Sequence, residues 1–93
     1  MATPGTVYIV TNRPRGVLYT GVTSDLAARI DEHVASPRGF AGRYNCDRLV
    51  WFEEHGSIAD AIQREKRIKA WRRDWKIALV EEDNPDWEEL DVP

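Results

Sequence analysis

The chain contains one cysteine, Cys46, and that fact narrows how its 93 residues can be held together. No disulfide within the chain is possible, and no cysteine cluster exists for zinc. A chain this near the lower size limit for unaided folding must commit nearly all its apolar residues to one core. Four Trp, three Tyr and two Phe supply the bulk for it. With 31% charged residues beside 42% hydrophobic ones, the composition excludes a disordered or fibrous chain. The expectation is a single soluble domain over residues 1–93, in a reducing cytoplasm. Met1–Thr6 has neither a basic start nor an apolar run, and nowhere do roughly eighteen apolar residues follow one another, so no targeting segment and no membrane partner are expected.

The net charge of −3 argues against a nucleic-acid partner until its distribution is read. Residues 1–73 hold 12 Lys/Arg and 8 Asp/Glu, a balance of +4, whereas residues 74–93 hold 1 and 8, a balance of −7. A basic body carries an acidic tail. Solvated helix faces and a solubilising tail account for this as well as a nucleic-acid surface does, so charge alone does not decide.

Thr6–Thr11 (TVYIVT) and Val17–Val22 (VLYTGV) are β-branched and aromatic runs separated by the Pro/Gly loop Asn12-Arg13-Pro14-Arg15-Gly16, which reads as a hairpin. Both faces of the first run are apolar, as expected of a strand covered on both sides. A helix is expected from about Ser24 to Ala35, with Thr23 or Ser24 as N-cap, Asp25 in the first turn, a stripe of Leu26, Ile30 and Val34, and a stop at Ser36-Pro37. Arg38–Asp47 has no clear period, and Leu49–Phe52 is a third strand. A second helix starts with Ser57 as N-cap and runs to about Trp71. A third runs from Asp74 to Glu82 with Trp75, Leu79 and Val80 turned inward, ended by Asn84-Pro85. Trp87 and Leu90 are left to cap the core.

Glu65 stands where a carboxylate does not belong. At about 100° per residue with Ile62 at zero, Ile58 falls at about 320°, Ala61 at about 260° and Ile68 at about 240°, and Glu65 at about 300° lies among them. An unpaired carboxylate there is costly, so an Arg or Lys, a metal ion or a proton must meet it. On the first helix Arg29 and His33 lie together on one flank of the apolar stripe. Arg29 offers a permanent cation with a fork suited to phosphate, and His33 a donor or proton relay. Tyr8 and Tyr19 occupy the two strands of the hairpin. Were Tyr8 to oppose Tyr19, both hydroxyls would share a face, whereas a slip of one residue would separate them.

Thr6-Val7-Tyr8 and Tyr19-Thr20-Gly21, followed by Arg29, His33 and the helical Glu65, resemble the GIY-YIG nuclease signature in order and approximate spacing. The resemblance covers nearly the whole chain and is closest to the short, stand-alone bacterial members, through REKRIKAW (Arg64–Trp71), RRDWK (Arg72–Lys76) and NPDW (Asn84–Trp87). Thr6 stands for the first glycine and Thr20 for the isoleucine of the second triplet. Asn84 matches only loosely a downstream asparagine that helps many relatives.

The resemblance implies an α+β fold, a three-stranded antiparallel sheet flanked by about three helices. It also implies an endonuclease that hydrolyses DNA phosphodiesters with one Mg²⁺ or Mn²⁺ on Glu65. Tyr8 would position or deprotonate the attacking water, Arg29 would stabilise transition-state charge, and Tyr19 and His33 would hold phosphate or tune Tyr8. A tyrosine near its usual pKa of about 10 is a poor base at neutral pH, so the metal and Arg29 must lower it or His33 must share the proton. Arg43 and Tyr44, with Lys66, Lys69, Arg72 and their basic neighbours Arg64, Arg67 and Arg73, are candidates for tracking the phosphates and stacking a base. With no zinc finger, helix-turn-helix or basic arm, specificity for sequence should be weak, and single-stranded or branched DNA is the expected substrate. The rivals are a non-catalytic nucleic-acid-binding module and a partner-binding adaptor of the same fold.

Overall fold

The computed structural model describes residues 3–35 and 46–93, and within α1 it does not describe the side chains of residues 33–35. The elements are β1 (Gly5–Thr11), β2 (Leu18–Thr23), α1 (Leu26–Ala35), β3 (Arg48–His55), α2 (Ile58–Ala70) and α3 (Arg73–Asp83). The three strands form one antiparallel sheet in the order β2-β1-β3, the expected α+β arrangement.

β1 is central and buried on both faces, as its two-sided apolar pattern requires. Val7 and Ile9 join Val50, Trp51, Ala61, Ile68, Val80 and Trp87 in one cluster against α2 and α3. Tyr8 and Val10 join Leu26, Cys46 and Leu49 in the other, against α1. Full burial of each of these aliphatic side chains stabilises the fold by about 1.5–3 kcal/mol. A register irregularity between Ile9 and Val10 lets both Val50 and Trp51 of β3 turn to the α2 side. Gly5 lets β1 pass close to α2, since an added β-carbon would lie 2.9 Å from the Ile58 backbone.

The β1–β2 connection turns at Arg13–Gly16, closed by Gly16 N–H donating to the Arg13 carbonyl at 2.9 Å. Pro14 presets the first corner, and Arg15, at φ 54°, takes the left-handed second corner that a type II turn requires. A side chain in that conformation is strained, and tertiary contacts hold it. Arg15 makes a two-pronged ion pair with Glu81 of α3 (2.9 and 2.8 Å), and the Arg73 guanidinium donates to the carbonyls of Arg15 and Gly16.

α1 starts later than expected because Asp25 caps it. Its carboxylate accepts from Ala28 N–H at 3.2 Å, while Thr23 Oγ1 is engaged with the Asp25 backbone. Ser57 caps α2 as expected, accepting from Asp60 N–H at 3.2 Å. Two inward assignments fail. Trp75 is 52% exposed and Ile62 37%, so the buried side of α2 centres on Ala61 and Ile68, and Glu65 lies on its flank rather than in its middle.

After α3 the chain straps the domain. Asn84 is buried, donating to the Val50 and Glu88 carbonyls and accepting from Glu88 N–H, so its amide is spent on structure. Trp87 is buried on the α2 side, whereas Leu90, tied to β3 through the Leu49 carbonyl at 2.8 Å, packs on the α1 side. Among the described residues no helix is long and apolar enough to cross a membrane.

Candidate functional site

The register places the tyrosines differently from a direct pairing. Tyr8 opposes Gly21 and Tyr19 opposes Val10. Opposed residues of an antiparallel pair share a face, so both tyrosines still lie on the α1 side, as diagonal neighbours. Tyr8 is 1% exposed, and its hydroxyl end lies over Gly21, where a β-carbon would collide with it. The ring thus leans across β2 towards the edge of the sheet. Thr20, opposite Ile9, turns to the other face, so its departure from the motif falls away from the tyrosines.

Among the described residues, the side chains of Tyr19, Arg29, Glu32 and Glu65 act electrostatically on the Tyr8 hydroxyl. Burial is the largest influence and raises the Tyr8 pKa. Tyr19, Glu32 and Glu65 raise it further, and among the described residues Arg29 opposes them. Arg29 acts in the expected direction, but among the described residues burial outweighs it. Without added positive charge Tyr8 is a neutral phenol, a hydrogen-bond donor, at every physiological pH.

Arg29 is half-buried on α1, with its side chain 42% exposed and a long contact to Glu32 (3.7 Å), its neighbour one turn on. Glu65, 13% exposed, pairs with Lys69 at 3.2 Å rather than with Arg29. The Lys69 ammonium also lies 6.0 Å from the centre of the Tyr19 ring. Sequence reasoning placed Lys69 on the nucleic-acid track and passed over Glu32. The signal for Glu32 was its i+3 spacing from Arg29, and for Lys69 its i+4 spacing from Glu65.

Arg43, Tyr44 and the His33 side chain lie outside the described residues, so their proposed roles are not placed. Lys66 and Arg72 are exposed, Arg72 pairing with Asp74 at 3.4 Å. Arg64 and Arg73 are already committed, Arg64 to Glu53 at 3.0 Å and Arg73 to the hairpin loop. Cys46 is a packed thiol that burial holds protonated.

Among the described residues no group of three or more His, Cys, Asp or Glu is gathered as a metal site would need. One screened carboxylate fits instead the kind of site in which a hard cation keeps most of its waters. Glu65 is such a group, and Lys69 supplies its positive neighbour in the protein alone.

Known proteins bear on this arrangement. Residues 4–78 match the GIY-YIG catalytic domain. The chain is 36% identical over 80 residues to UPF0213 proteins of Staphylococcus aureus strains Mu3 and Mu50, an alignment covering 82% of this chain and 93% of each relative. No solved structure matches it. The match spans both strand tyrosines, Arg29 and Glu65 alike, and the chain belongs to the GIY-YIG family, whose catalytic domain is a nuclease domain.

Proposed function

We propose that this chain is a single-domain, divalent-metal-dependent endonuclease that hydrolyses DNA, preferring single-stranded or branched substrates over any long cognate sequence. The observation that carries the reading is the surroundings of one hydroxyl. Tyr8 feels Tyr19, Arg29 and Glu65, side chains from three different elements, at the edge of the sheet. Family membership supports the nuclease class, and the basic residues that flank the site along α2 support a polyanionic substrate.

Glu65 would hold Mg²⁺ or Mn²⁺. Bound there, the ion supplies Lewis-acid stabilisation of phosphate oxygens and of the departing 3′ oxygen. The chain's own groups do the rest. The Tyr8 oxygen orients the attacking water against phosphorus and, where added positive charge beside Arg29 lets the phenol release its own proton to solvent, would take the proton of that water. Arg29 favours that phenolate, and its fork binds non-bridging oxygens as charge accumulates on them. Tyr19 positions phosphate beside Tyr8, and His33 stands one helical turn beyond Arg29 as a further donor. Lys69, paired with Glu65 in the protein alone, would be available to a substrate phosphate were Glu65 to hold a metal ion. A buried lone thiol at Cys46 suits the reducing cytoplasm proposed for the protein.

The test is cleavage of labelled single-stranded, branched and blunt duplex DNA, and of RNA, in Mg²⁺, in Mn²⁺ and in EDTA, by the protein and by Tyr8→Phe. Metal-dependent cutting of DNA by the protein and its loss in Tyr8→Phe, with binding retained, is the expected result. Binding without cutting in any metal would make the chain a nucleic-acid-binding module of the same fold.

A further inference from the structure

The turn between β1 and β2 has its glycine one place too late. A type II turn favours glycine at its second, left-handed corner, and proline followed by glycine forms one unaided. Here Pro14 is followed by Arg15 at φ 54°, and the glycine stands at 16. Bonds within the loop close it, Gly16 N–H donating to the Arg13 carbonyl at 2.9 Å and Val17 N–H to Asn12 Oδ1 at 2.9 Å. A side chain strained in this way persists where its surroundings over-determine it. Residues of α3 provide those surroundings. Glu81 holds the Arg15 guanidinium with both oxygens, at 2.9 and 2.8 Å, and Arg73 donates to the carbonyls of Arg15 and Gly16 at 2.5 and 2.7 Å. A surface ion pair with a loose carboxylate holds little. Glu81 is not loose, because the indole N–H of buried Trp87 donates to its Oε2 at 2.7 Å. The turn is thus anchored to the core through Arg15, Glu81 and Trp87.

We propose that Glu81 and Arg73 are positioning residues for cleavage, holding this turn so that β2 carries Tyr19 to its place beside Tyr8, a proposal that rests on the nuclease reading above. The path from clasp to tyrosine is short. The β1–β2 ladder begins with Thr11 opposite Leu18, and the next pair is Val10 opposite Tyr19. Turn type and loop length set the register of a hairpin, and a slip of one residue turns every side chain of the strand to the other face. Released from Glu81 and Arg73, Arg15 returns to the right-handed region that a bulky residue favours, and the turn goes over towards type I. The start of β2 moves with it, and Tyr19 moves too. Tyr8 is disturbed as well, since its hydroxyl end lies over Gly21, two residues beyond Tyr19 on the same strand. Glu81 and Arg73 therefore act through the backbone of the turn, at a distance from the reacting atoms.

The test sets Glu81→Gln, which breaks the ion pair and still accepts from Trp87, against Arg15→Gly, which takes the left-handed corner without strain and needs no clasp. The full chain is labelled with 3-fluorotyrosine, and its fluorine NMR spectrum reports the surroundings of Tyr19, assigned from Tyr19→Phe. Single-turnover cleavage of single-stranded DNA at saturating protein, in Mn²⁺, reports the reaction apart from binding. Glu81→Gln should move the Tyr19 signal and slow cleavage by about tenfold to a hundredfold. Adding Arg15→Gly should restore both. Melts place the assay temperature below every unfolding transition. Should Glu81→Gln not fold, Arg73→Ala, which withdraws the donors from the loop carbonyls, takes its place with the same expectation. Cleavage at full rate, or slowed cleavage with the Tyr19 signal unmoved, overturns the proposal and leaves the nuclease reading standing. A loss that Arg15→Gly does not restore overturns it too. If the parent protein cuts no DNA, the nuclease reading falls, and the positioning of Tyr19 by α3 stands or falls on the fluorine signal.

Discussion

The hydroxyl end of Tyr8 lies over Gly21, its partner on β2, with no room between them for a β-carbon. Gly21→Ala therefore has to push the ring off its position. The cost in stability should be modest, about 1–3 kcal/mol for overpacking. Cleavage should fall by about a hundredfold, because a displacement of about 1 Å at the reacting groups is enough for that. Melting temperature and cleavage rate measured side by side check it, and an active Gly21→Ala would show that the Tyr8 position is not critical.

Glu65→Gln keeps shape and removes charge. The pair with half-exposed Lys69 is a single i,i+4 contact worth about 0.3–0.5 kcal/mol, so the melt in EDTA should barely move. Mn²⁺ binding, read by electron paramagnetic resonance, should be lost together with cleavage. Lys69→Gln should do the reverse at the metal, tightening Mn²⁺ binding by removing a competing cation, while lowering the salt dependence of DNA binding by about one unit of slope. Unchanged Mn²⁺ affinity in Glu65→Gln would refute the assignment of this carboxylate as the ligand.

Arg29→Lys retains charge and loses the fork. Since Arg29 is 42% exposed and its contact to Glu32 is 3.7 Å long, the fold should be unaffected, with cleavage reduced on the order of a hundredfold. Single-turnover rates under saturating protein separate this from weakened binding. A full rate would leave Arg29 as a surface cation.

Acid should weaken the protein through Glu81. The Arg15 guanidinium and then the Trp87 indole N–H hold its carboxyl at about 2 against an ordinary 4.5. A depressed carboxylate stabilises the folded state fully above its unfolded pKa, and that contribution drains away as pH falls through the folded one. The loss should thus fall between about pH 4.5 and 2. Melts across that window should be steeper for the protein than for Glu81→Gln, which lacks this group. Parallel curves would mean that the clasp of the hairpin loop contributes nothing to pH-dependent stability.

Much of this molecule was legible in local pattern. Apolar residues on both sides of Thr6–Thr11 required a central strand, Pro and Gly marked the hairpin, Ser57 and Asn84-Pro85 bounded helices, and the tyrosine triplets with Arg29 and Glu65 carried the family. These signals are local because caps, turns and strand alternation depend on neighbours a few residues apart. Tertiary structure alone decided the rest. The diagonal register that sets Tyr8 over Gly21 comes from the loop geometry and from packing on both faces, neither of which a strand's own period encodes. The pairing of Glu65 with Lys69 and the exposure of Trp75 depend on which arc of each helix meets the sheet, and helical periodicity marks a stripe without fixing its centre. The rise in the Tyr8 pKa lay furthest from the sequence. It is the sum of burial and of charges brought together from α1, β2 and α2, and such a sum exists only once the chain has folded.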